Sequence, residues 1–523
     1  MPRDVRAHRP LVSLLVVLMS FAASAPTPAS AQSADQGEWS PLFDTPNVMI
    51  HVSVLPDGKV LFWGRREAGE GLNPPAPRNC QPRIWDPSKG TGPAAFSTTN
   101  MPGHNLFCSG HSFLPDGRLF VAGGHIADGK GEPFAVIYDP AMNHWDRVPE
   151  LMTGGRWYPT VVTLADGGVL VSFGTGTDGT HNPTQQIWKD GHWMPNQNFD
   201  FPPDVLPFYP RMHVAPSGQV FMTGPLPLTQ LLDTVAKKWM FLRPDPDIHR
   251  AIDLSSRKSH FLQEYAPSVM YDEGKVLYAG GGDGPIADAE TIDFTKPMAA
   301  WEWVKTDPMN FPRRQHNATL LPDGTVVVMG GTKGNGFNNL VIGQPLRSAE
   351  LWDPKTGKWK KLAKAAVDRC YHSTAVLLPD ATVLNAGGGE YSPNNDGHPN
   401  PPVDTHHDAQ IFSPPYLFLA NGTRAPRPDI TSAPTKVKYG ETFTVGTTTP
   451  GAIGKVSWVR LSSVTHSFNS NQRINFLTFT PDAASLKVTA PADPNGCPPG
   501  HYMLFLLNNN GVPSIAQTIQ ILP

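Results

Sequence analysis

The sequence lacks the excess of basic residues that a nucleic-acid-binding surface requires. Lysine and arginine total 42, aspartate and glutamate total 45, and the formal net charge is −3. Because phosphate contacts depend on clustered positive charge, this balance argues against nucleic acid as a partner. Hydrophobic residues make up 39% of the chain, which is enough to bury a core, so the composition favours a folded protein over a disordered one.

Long hydrophobic runs are missing after residue 23. The single run, LVSLLVVLMSFAA at 11–23, follows Arg3, Arg6 and Arg9 and precedes the small residues ASA at 29–31. This order is typical of a secretory signal peptide, and the run is shorter than the ~18 residues or more that a membrane span needs. We expect residues 1–31 to be cleaved from a secreted or periplasmic (cell-envelope) protein without a transmembrane span; an uncleaved anchor is the alternative.

Cysteine is also scarce, with four residues in 523. An oxidising compartment permits disulfides, and four cysteines allow three pairings. We expect one or two disulfides. Cys80, Cys370 and Cys497 could supply one of them, although their spacing does not reveal the pairing, and Cys108 has a different expected role.

Glycine and proline are abundant, by contrast, and they mark a repeat. The turn LPDG at 55–58, 114–117 and 321–324 has degenerate copies at 164–167, 215–218, 271–274 and 378–381, each followed by an apolar run such as VLFWG or LFVAGG. The last residues of successive turns are 50 to 59 positions apart. Seven hairpin units of this length predict a seven-bladed kelch-type β-propeller over residues 32–420.

The pattern changes after residue 420. A proline-rich stretch, NGTRAPRPDITSAPTKVKYG at 421–440, leads into short alternating runs such as ETFTVGT, KVSWVRLSS and YMLFLLN. About a hundred residues of this kind predict an immunoglobulin-like β-sandwich over residues 421–523. The whole chain is therefore expected to be all-β, with the propeller followed by the sandwich.

The seven turns allow equivalent residues of the units to be compared. The residues nine positions before the end of each turn are Met49, Cys108, Tyr158, Tyr209, Tyr265, Gln315 and His372. Equivalent positions of propeller blades lie on one ring around the axis, so Cys108, Tyr158 and His372 should share a space with Tyr371. These residues either fill the mouth of the channel or form a metal and redox site, since imidazole binds copper, zinc or iron.

Several other histidines are not expected to bind metal, and most of those inside hairpin strands are expected to be structural. His406 and His407 lie in a proline-rich loop, which favours solvation over metal binding. The remaining ones lie inside hairpin strands at irregular offsets: His51, His111, His213 and His316.

Four segments carry a resemblance to a known family. LFCSGHSFLPDGRLFVAGG contains Cys108, GGRWYPTVVTLADG contains Tyr158, RCYHSTAVLLPD contains Tyr371 and His372, and SSVTHSFNSNQRINFLTFT contains His466. Together with PPGHYMLFLLNNNGVPSIAQTIQI near the end, the sequence resembles the copper radical oxidases, the family of galactose oxidase and glyoxal oxidase. RWYPT is closer to the glyoxal oxidase branch.

The resemblance implies a copper site made of side chains that are far apart in the sequence. It implies one copper ion bound by Tyr158, Tyr371, His372 and His466, with Cys108 joined to the Tyr158 ring through a thioether that carries a radical. It also implies that the hairpin of His466 reaches into the propeller channel, which spacing alone does not indicate. The tryptophan that stacks over this cross-link in galactose oxidase aligns with Gly176, so the radical needs another shield.

The resemblance further implies an oxidase that turns dioxygen into hydrogen peroxide. Tyr371 is assigned as the general base that takes the substrate proton. A small aldehyde or a primary alcohol is a better expected substrate than galactose, and a monomer is expected. Two alternatives remain: a non-catalytic kelch-type scaffold that binds carbohydrate or protein, and a zinc hydrolase, which the lack of a carboxylate near the ring disfavours.

Overall fold

The computed structural model describes residues 29–67, 80–195, 199–200, 207–227, 229–241, 263–390 and 405–522. These residues are nearly all in strands and turns, which confirms the predicted all-β class. The described part of the chain contains one α-helix, α1 (Ala29–Gln36), and five short 3₁₀ turns at Pro87–Lys89, Pro93–Ala95, Met298–Ala300, Pro415–Leu417 and Pro450–Ala452. Residues 1–28 of the predicted signal peptide lie outside the described residues.

Seven sheets, numbered here in chain order, follow two short strands, β1 (Glu38–Trp39) and β2 (Phe43–Asp44). Sheet 1 contains β3 (His51–Val54), β4 (Val60–Trp63), β5 (Arg83–Trp85) and β6 (Phe96–Thr98). Sheet 2 contains β7 (Gly110–Phe113), β8 (Leu119–Ala122), β11 (Ala135–Asp139) and β12 (His144–Arg147), with the small pair β9 (His125–Ala127) and β10 (Lys130–Gly131) between them in sequence. Sheet 3 contains β13 (Thr160–Thr163), β14 (Val169–Ser172), β15 (Thr184–Lys189), β16 (His192–Trp193) and β17 (Phe199–Asp200).

The remaining four sheets of this series repeat the same antiparallel order. Sheet 4 contains β18 (Arg211–Val214), β19 (Val220–Gly224), β20 (Gln230–Asp233) and β21 (Lys238–Phe241). Sheet 5 contains β22 (Ser268–Asp272), β23 (Lys275–Ala279), β24 (Ala289–Asp293) and β25 (Val304–Lys305). Sheet 6 contains β26 (Arg314–Leu320), β27 (Val326–Thr332), β28 (Ser348–Asp353) and β29 (Lys358–Lys364). Sheet 7 contains β30 (Ser373–Leu377), β31 (Val383–Gly387) and β32 (Asp408–Ser413), and β1 and β2 pair with β32.

Each repeated turn joins the first two strands of its sheet. In the first copy, Gly58 takes a φ of 83° and donates to the carbonyl of Leu55 at 2.9 Å. A type I turn closed by a left-handed residue is a common hairpin loop, and glycine takes that conformation without steric cost. Ala381 replaces the glycine in the last copy and still has a φ of 62°, with the same bond to Leu378 at 2.9 Å.

The first strands of the sheets lie side by side. β7 contacts β13, β13 contacts β18, β22 contacts β26, β26 contacts β30, and β30 contacts β3 of sheet 1. Most residues of these strands are buried, and apolar side chains of β3, β7, β22, β26 and β30 belong to the largest hydrophobic core. The site described below is built at the start of these strands.

Two further sheets form the C-terminal part. One contains β33 (Lys436–Lys438), β42 (Gln517–Leu522), β41 (Gly500–Asn508), β35 (Ile453–Arg460) and β38 (Ile474–Leu477), and the other contains β34 (Thr442–Gly446), β40 (Ser485–Thr489) and β39 (Phe479–Asp482). Alternating apolar residues of both sheets, among them Val445, Trp458 and Leu504, pack into a core of their own.

A hairpin from this C-terminal part joins sheet 1. It consists of β36 (Ser463–Thr465) and β37 (Phe468–Asn469) and lies between β35 and β38 in sequence. β36 runs antiparallel to β3, with Thr465 opposite His51 and Ser463 opposite Ser53. The hairpin carries His466 at its tip, so a histidine from the end of the chain reaches the first strands of the repeat.

The expectation of a disulfide was wrong. All four cysteines lie in the described part of the chain, all are buried, and none forms a disulfide. They are held in separate surroundings: Cys497, for example, belongs to the C-terminal core, whereas Cys80 accepts a hydrogen bond from Asn47 at 3.1 Å in sheet 1. Among the described residues, no helix combines the length and the hydrophobicity that crossing a bilayer would need.

Candidate metal centre

The residues selected from the repeat share an unusual backbone conformation. Six of the seven have a positive φ although none is glycine: Cys108 (61°), Tyr158 (66°), Tyr209 (43°), Tyr265 (53°), Gln315 (58°) and His372 (66°). Non-glycine residues enter this region only when the surrounding structure compensates a cost of ~1–3 kcal/mol each. The compensation includes backbone hydrogen bonds between the equivalent positions, such as Tyr158 N–H to the carbonyl of Cys108 at 2.9 Å and Tyr209 N–H to that of Tyr158 at 3.0 Å.

This conformation explains how Tyr371 and His372 can face the same space. Neighbours on a regular strand point to opposite faces, but β30 begins only at Ser373, and His372 is left-handed. The two rings consequently stack on each other, with centroids 3.8 Å apart and planes at 26°.

The structure brings the four predicted ligands together. The Tyr158 and Tyr371 hydroxyls share a short hydrogen bond. The His466 ring lies 4.6 Å from the Tyr158 ring, 5.6 Å from the Tyr371 ring and 4.7 Å from the His372 ring, centroid to centroid. All four side chains are buried, so two phenols and two imidazoles enclose one small space inside the protein.

Each histidine has one satisfied ring nitrogen and one that has no partner. His372 Nδ1 lies 2.6 Å from the carbonyl oxygen of Gly389, and His466 Nδ1 lies 2.6 Å from the hydroxyl of Thr465. Because a carbonyl only accepts, Nδ1 of His372 carries the proton and Nε2 carries the lone pair. Both Nε2 atoms are buried without a hydrogen-bond partner, which costs ~1–3 kcal/mol for each such group. A metal ion at this place would satisfy both nitrogens, so the residues fit the copper that the resemblance implies.

Burial also sets the charge of the centre. It lowers the pKa of His372 to about 3 and that of His466 well below 6.5, so both imidazoles are neutral. Burial raises the pKa values of Tyr158 and Tyr371 well above 10, so both phenols keep their protons in the protein alone. Neutral imidazole is the form that binds metal, whereas a phenolate ligand requires the metal's positive charge to displace the phenol proton.

Cys108 lies beside Tyr158. Its side chain is fully buried and belongs to the same apolar cluster as Tyr158. Burial raises the pKa of the thiol well above 9. The thiol is therefore protonated and placed next to the ring to which the resemblance would join it.

Trp157 is the residue that sequence reasoning missed. Its indole stacks on the Tyr158 ring with centroids 3.7 Å apart and planes at 10°, and its N–H donates to His125 Nδ1 at 3.2 Å. Gly176 brings no ring to this place, as expected, but its neighbour Thr175 forms a β-bridge with Trp157. The only signal in the sequence was the adjacency of Trp157 and Tyr158, which the left-handed backbone at Tyr158 turns into a stacked pair.

Two further tyrosines at the equivalent positions of the repeat, Tyr209 and Tyr265, pack against the proposed ligands. Tyr209 stacks on His466, with centroids 4.7 Å apart, and donates its hydroxyl proton to the carbonyl of Ser109 at 2.9 Å. Tyr265 packs against the edge of Tyr371, with centroids 5.6 Å apart and planes at 88°.

Access to Tyr371 comes from a cavity of about 730 Å³ between sheets 6 and 7. Its lining is mixed and includes apolar Leu346 and Val367 as well as the ion pair of Arg347 and Asp368. Within the described residues, no group of three or more histidine, cysteine, aspartate or glutamate side chains could hold a metal ion. The candidate centre differs from such groups because half of its donors are phenols.

Two protein families match parts of the chain. Residues 284–416 match the family described as glyoxal oxidase N-terminus, and residues 427–521 match the galactose oxidase-like early set domain. The first match covers the last part of the sheet series, and the second covers the C-terminal sheets.

Similar proteins match over most of the chain. Galactose oxidase of Gibberella zeae is 30% identical, and the match covers 94% of this chain and 72% of the relative. The chain belongs to the galactose oxidase and glyoxal oxidase family. Aldehyde oxidase GLOX of Vitis pseudoreticulata is 28% identical over 80% of this chain and 82% of the relative. A fungal alcohol oxidase solved in complex with copper is 26% identical, with a TM-score of 0.78 over 94% of this chain and 100% of that chain.

Family membership confirms the resemblance drawn from the four segments, and it makes the chain an oxidase of the copper radical oxidase family. It also confirms a galactose oxidase-like, nearly all-β fold. The substrate, the thioether and the identity of the metal ligands in this chain are matters of proposal.

Proposed function

We propose that the protein is a secreted, monomeric, mononuclear copper radical oxidase that oxidises a small aldehyde or a primary alcohol with dioxygen and releases hydrogen peroxide. The observation that carries this proposal is the pair of buried, unpartnered Nε2 atoms on His372 and His466 beside the two phenol oxygens of Tyr158 and Tyr371. The names of the relatives support the substrate class, since they include an aldehyde oxidase and an alcohol oxidase.

The architecture proposed for this enzyme is a seven-bladed propeller over residues 32–420 and an immunoglobulin-like domain over 421–523. Seven successive sheets whose first strands lie against each other support the propeller. Residues 1–31 are proposed to be a signal peptide that directs secretion. In this arrangement the hairpin of His466 occupies the centre of the ring of first strands.

In the proposed site, Tyr158, Tyr371, His372 and His466 hold one copper ion, which supplies one of the two one-electron changes that the oxidation needs. Tyr158 supplies the other as a radical, and its thioether to Cys108 makes the ring easier to oxidise. Tyr371 takes the substrate's proton as general base. A primary alcohol thereby loses two hydrogen atoms and becomes an aldehyde, a hydrated aldehyde becomes an acid, and dioxygen accepts both hydrogen atoms as hydrogen peroxide.

Trp157 is the proposed shield of the radical. Its indole covers one face of the Tyr158 ring at 3.7 Å and is itself only partly buried, so it separates this ring from solvent. We expect Trp157→Ala to shorten the lifetime of the radical, measured by electron paramagnetic resonance of the copper-loaded, oxidised protein.

Phe208 offers a matched control because its ring lies 5.5 Å from the same ring, centroid to centroid, with the planes at 83°, so the two rings do not stack. Phe208→Ala should leave the radical lifetime close to that of the parent. Equal lifetimes in the parent and in Trp157→Ala would contradict the shielding role.

The cross-link provides the direct test of the proposed function. When it forms, the S–H bond of Cys108 and one ring C–H bond of Tyr158 break, a C–S bond forms, and the two hydrogen atoms leave on dioxygen as hydrogen peroxide. We expect peptide mapping after treatment with copper and oxygen to find the two segments joined and lighter by the mass of two hydrogen atoms.

Cys108→Ser is the control, since it should bind copper without forming the joined peptide. Unmodified Cys108 and Tyr158 side chains in the parent after full copper loading would overturn the radical oxidase. That result would leave the non-catalytic scaffold as the better interpretation.

A further inference from the structure

A continuous chain of hydrogen bonds links the hairpin of His466 to Cys108. The backbone N–H of Cys108 donates to Nε2 of His51 at 3.0 Å, and Nδ1 of His51 lies 3.1 Å from Nε2 of His111. Nδ1 of His111 in turn lies 2.5 Å from the hydroxyl of Ser463, three residues before His466. These hydrogen bonds therefore connect β36, through β7 and β3, to Cys108, which precedes the first strand of sheet 2.

The geometry determines which nitrogen carries each proton. Because the Cys108 N–H is a donor, Nε2 of His51 must be the lone-pair nitrogen, and the proton of a neutral ring then lies on Nδ1. That proton is donated to Nε2 of His111, so the proton of His111 also lies on Nδ1 and points to Ser463. The Ser463 hydroxyl can accept the proton of His111 Nδ1 because its own proton can be donated to the backbone carbonyl of His111 at 3.3 Å.

Both imidazoles are held in surroundings that keep them neutral and in place. Burial lowers the pKa of His111 to about 3 and that of His51 well below 6.5. His51 stacks on Trp63, with centroids 4.9 Å apart and planes at 6°, and the indole N–H of Trp63 is bonded to the carbonyl of Leu106 at 3.0 Å. A protonated ring would have no acceptor nitrogen left for Cys108, so the chain exists only with both rings neutral.

Cys108 is the member of the cross-linking pair that this set of hydrogen bonds contacts directly. It is a non-glycine residue in the left-handed region, with a φ of 61°. His51 binds its N–H, and the N–H of Tyr158 binds its carbonyl at 2.9 Å. The backbone of Cys108 is thus hydrogen-bonded to His51 through its N–H and to Tyr158, the proposed cross-linking partner, through its carbonyl.

We propose that His51 and His111 are positioning residues that hold Cys108 in register with Tyr158 and couple it to the hairpin that carries His466. The proposal rests on the proposed radical oxidase, because its consequence is the formation of the thioether. It assigns a role to two histidines that the sequence pattern alone treats as structural. The proposed ligand and the proposed cross-linked cysteine would then be placed by one rigid set of hydrogen bonds.

The test compares two substitutions of His51 in the full-length protein. His51→Phe keeps a flat ring against Trp63 but removes both nitrogens, whereas His51→Gln keeps one acceptor and one donor. We expect His51→Phe to bind copper as the parent does and to form the joined Cys108–Tyr158 peptide about ten-fold more slowly. His51→Gln should recover most of the parent rate.

His213→Phe is the matched control for the loss of a buried histidine. His213 is as buried as His111 and has one hydrogen bond, to Ser268 at 2.8 Å, but no bond to Cys108. The His213→Phe variant should form the joined Cys108–Tyr158 peptide at the rate of the parent protein. A parent rate in His51→Phe, or an equal loss in His213→Phe, would overturn the positioning role.

A second measurement makes the result independent of the copper chemistry. In the metal-free protein, amide hydrogen exchange in the segments of Cys108 and of Ser463 should speed up together in His51→Phe and in His111→Phe, and in neither segment in His213→Phe. Unchanged exchange in the His51 and His111 variants would overturn the proposal. If exchange speeds up in these two variants as expected but the parent protein never forms the thioether, the proposed function is overturned instead.

Discussion

Replacing His466 with alanine is expected to abolish tight copper binding. Its Nε2 is one of two buried imidazole nitrogens without a hydrogen-bond partner in the centre, and the remaining donors would be one imidazole and two phenols that burial keeps protonated. Loss of outer-sphere partners alone costs ~10–100-fold in metal affinity, so loss of a ligand should cost more than ~100-fold. His372→Ala should behave in the same way.

The measurement is copper content per chain after equilibrium dialysis against a competing chelator. Thr465→Val is a close control, because it removes the hydroxyl beside Nδ1 of His466 but leaves the ring, and it should weaken binding far less than His466→Ala. His213→Ala controls for the loss of a buried histidine that packs against Phe468 of the same hairpin but is not a proposed ligand. If His466→Ala binds copper with the affinity and the absorption spectrum of the parent, the C-terminal hairpin is only structural.

Replacing Tyr371 with phenylalanine is expected to separate copper binding from turnover. The ring and its stacking on His372 remain, and three donors are left for copper, so the metal should stay bound. The oxygen that would take the substrate proton is lost, and loss of a general base typically lowers turnover by ~10²–10⁴-fold. Peroxide release from small aldehydes and alcohols, measured together with copper content, tests both statements.

Tyr265→Phe is the matched control for this substitution. It also removes the phenol oxygen of a half-buried ring that packs against Tyr371, but it leaves every proposed ligand in place. We expect a much smaller loss of turnover than in Tyr371→Phe. If Tyr371→Phe oxidises these substrates as fast as the parent, Tyr371 has only a structural packing role and is not the general base.

The sequence predicted much of the fold because the residue types of its repeated turns identify the hairpins directly. Each LPDG copy needs a left-handed residue at its end, which glycine supplies, and the copies recur at nearly constant spacing. That spacing was enough to divide the chain into seven hairpin units and to select equivalent residues. Cys108, Tyr158 and His372 came from this comparison before any family resemblance was considered.

The repeat did not reveal which way the side chains point. On a regular strand Tyr371 and His372 would face apart, and Trp157 would face away from Tyr158. The left-handed backbone at Tyr158 and His372 reverses this in both pairs, and at Tyr158 its cost is offset by backbone hydrogen bonds to the equivalent residues Cys108 and Tyr209. Such bonds connect residues about fifty positions apart, so no local pattern predicts them.

Contacts between distant segments were decided by the tertiary structure alone. His466 lies in the C-terminal part, and only the pairing of β36 with β3 brings it to the first strands of the repeat. The same pairing places Ser463 against His111 and so completes the chain to Cys108. The absence of disulfides has a similar cause, since a thiol needs a second cysteine within bonding distance and each cysteine is buried in a separate environment. Local sequence determines which turns and strands form, whereas distances between segments depend on how the sheets pack.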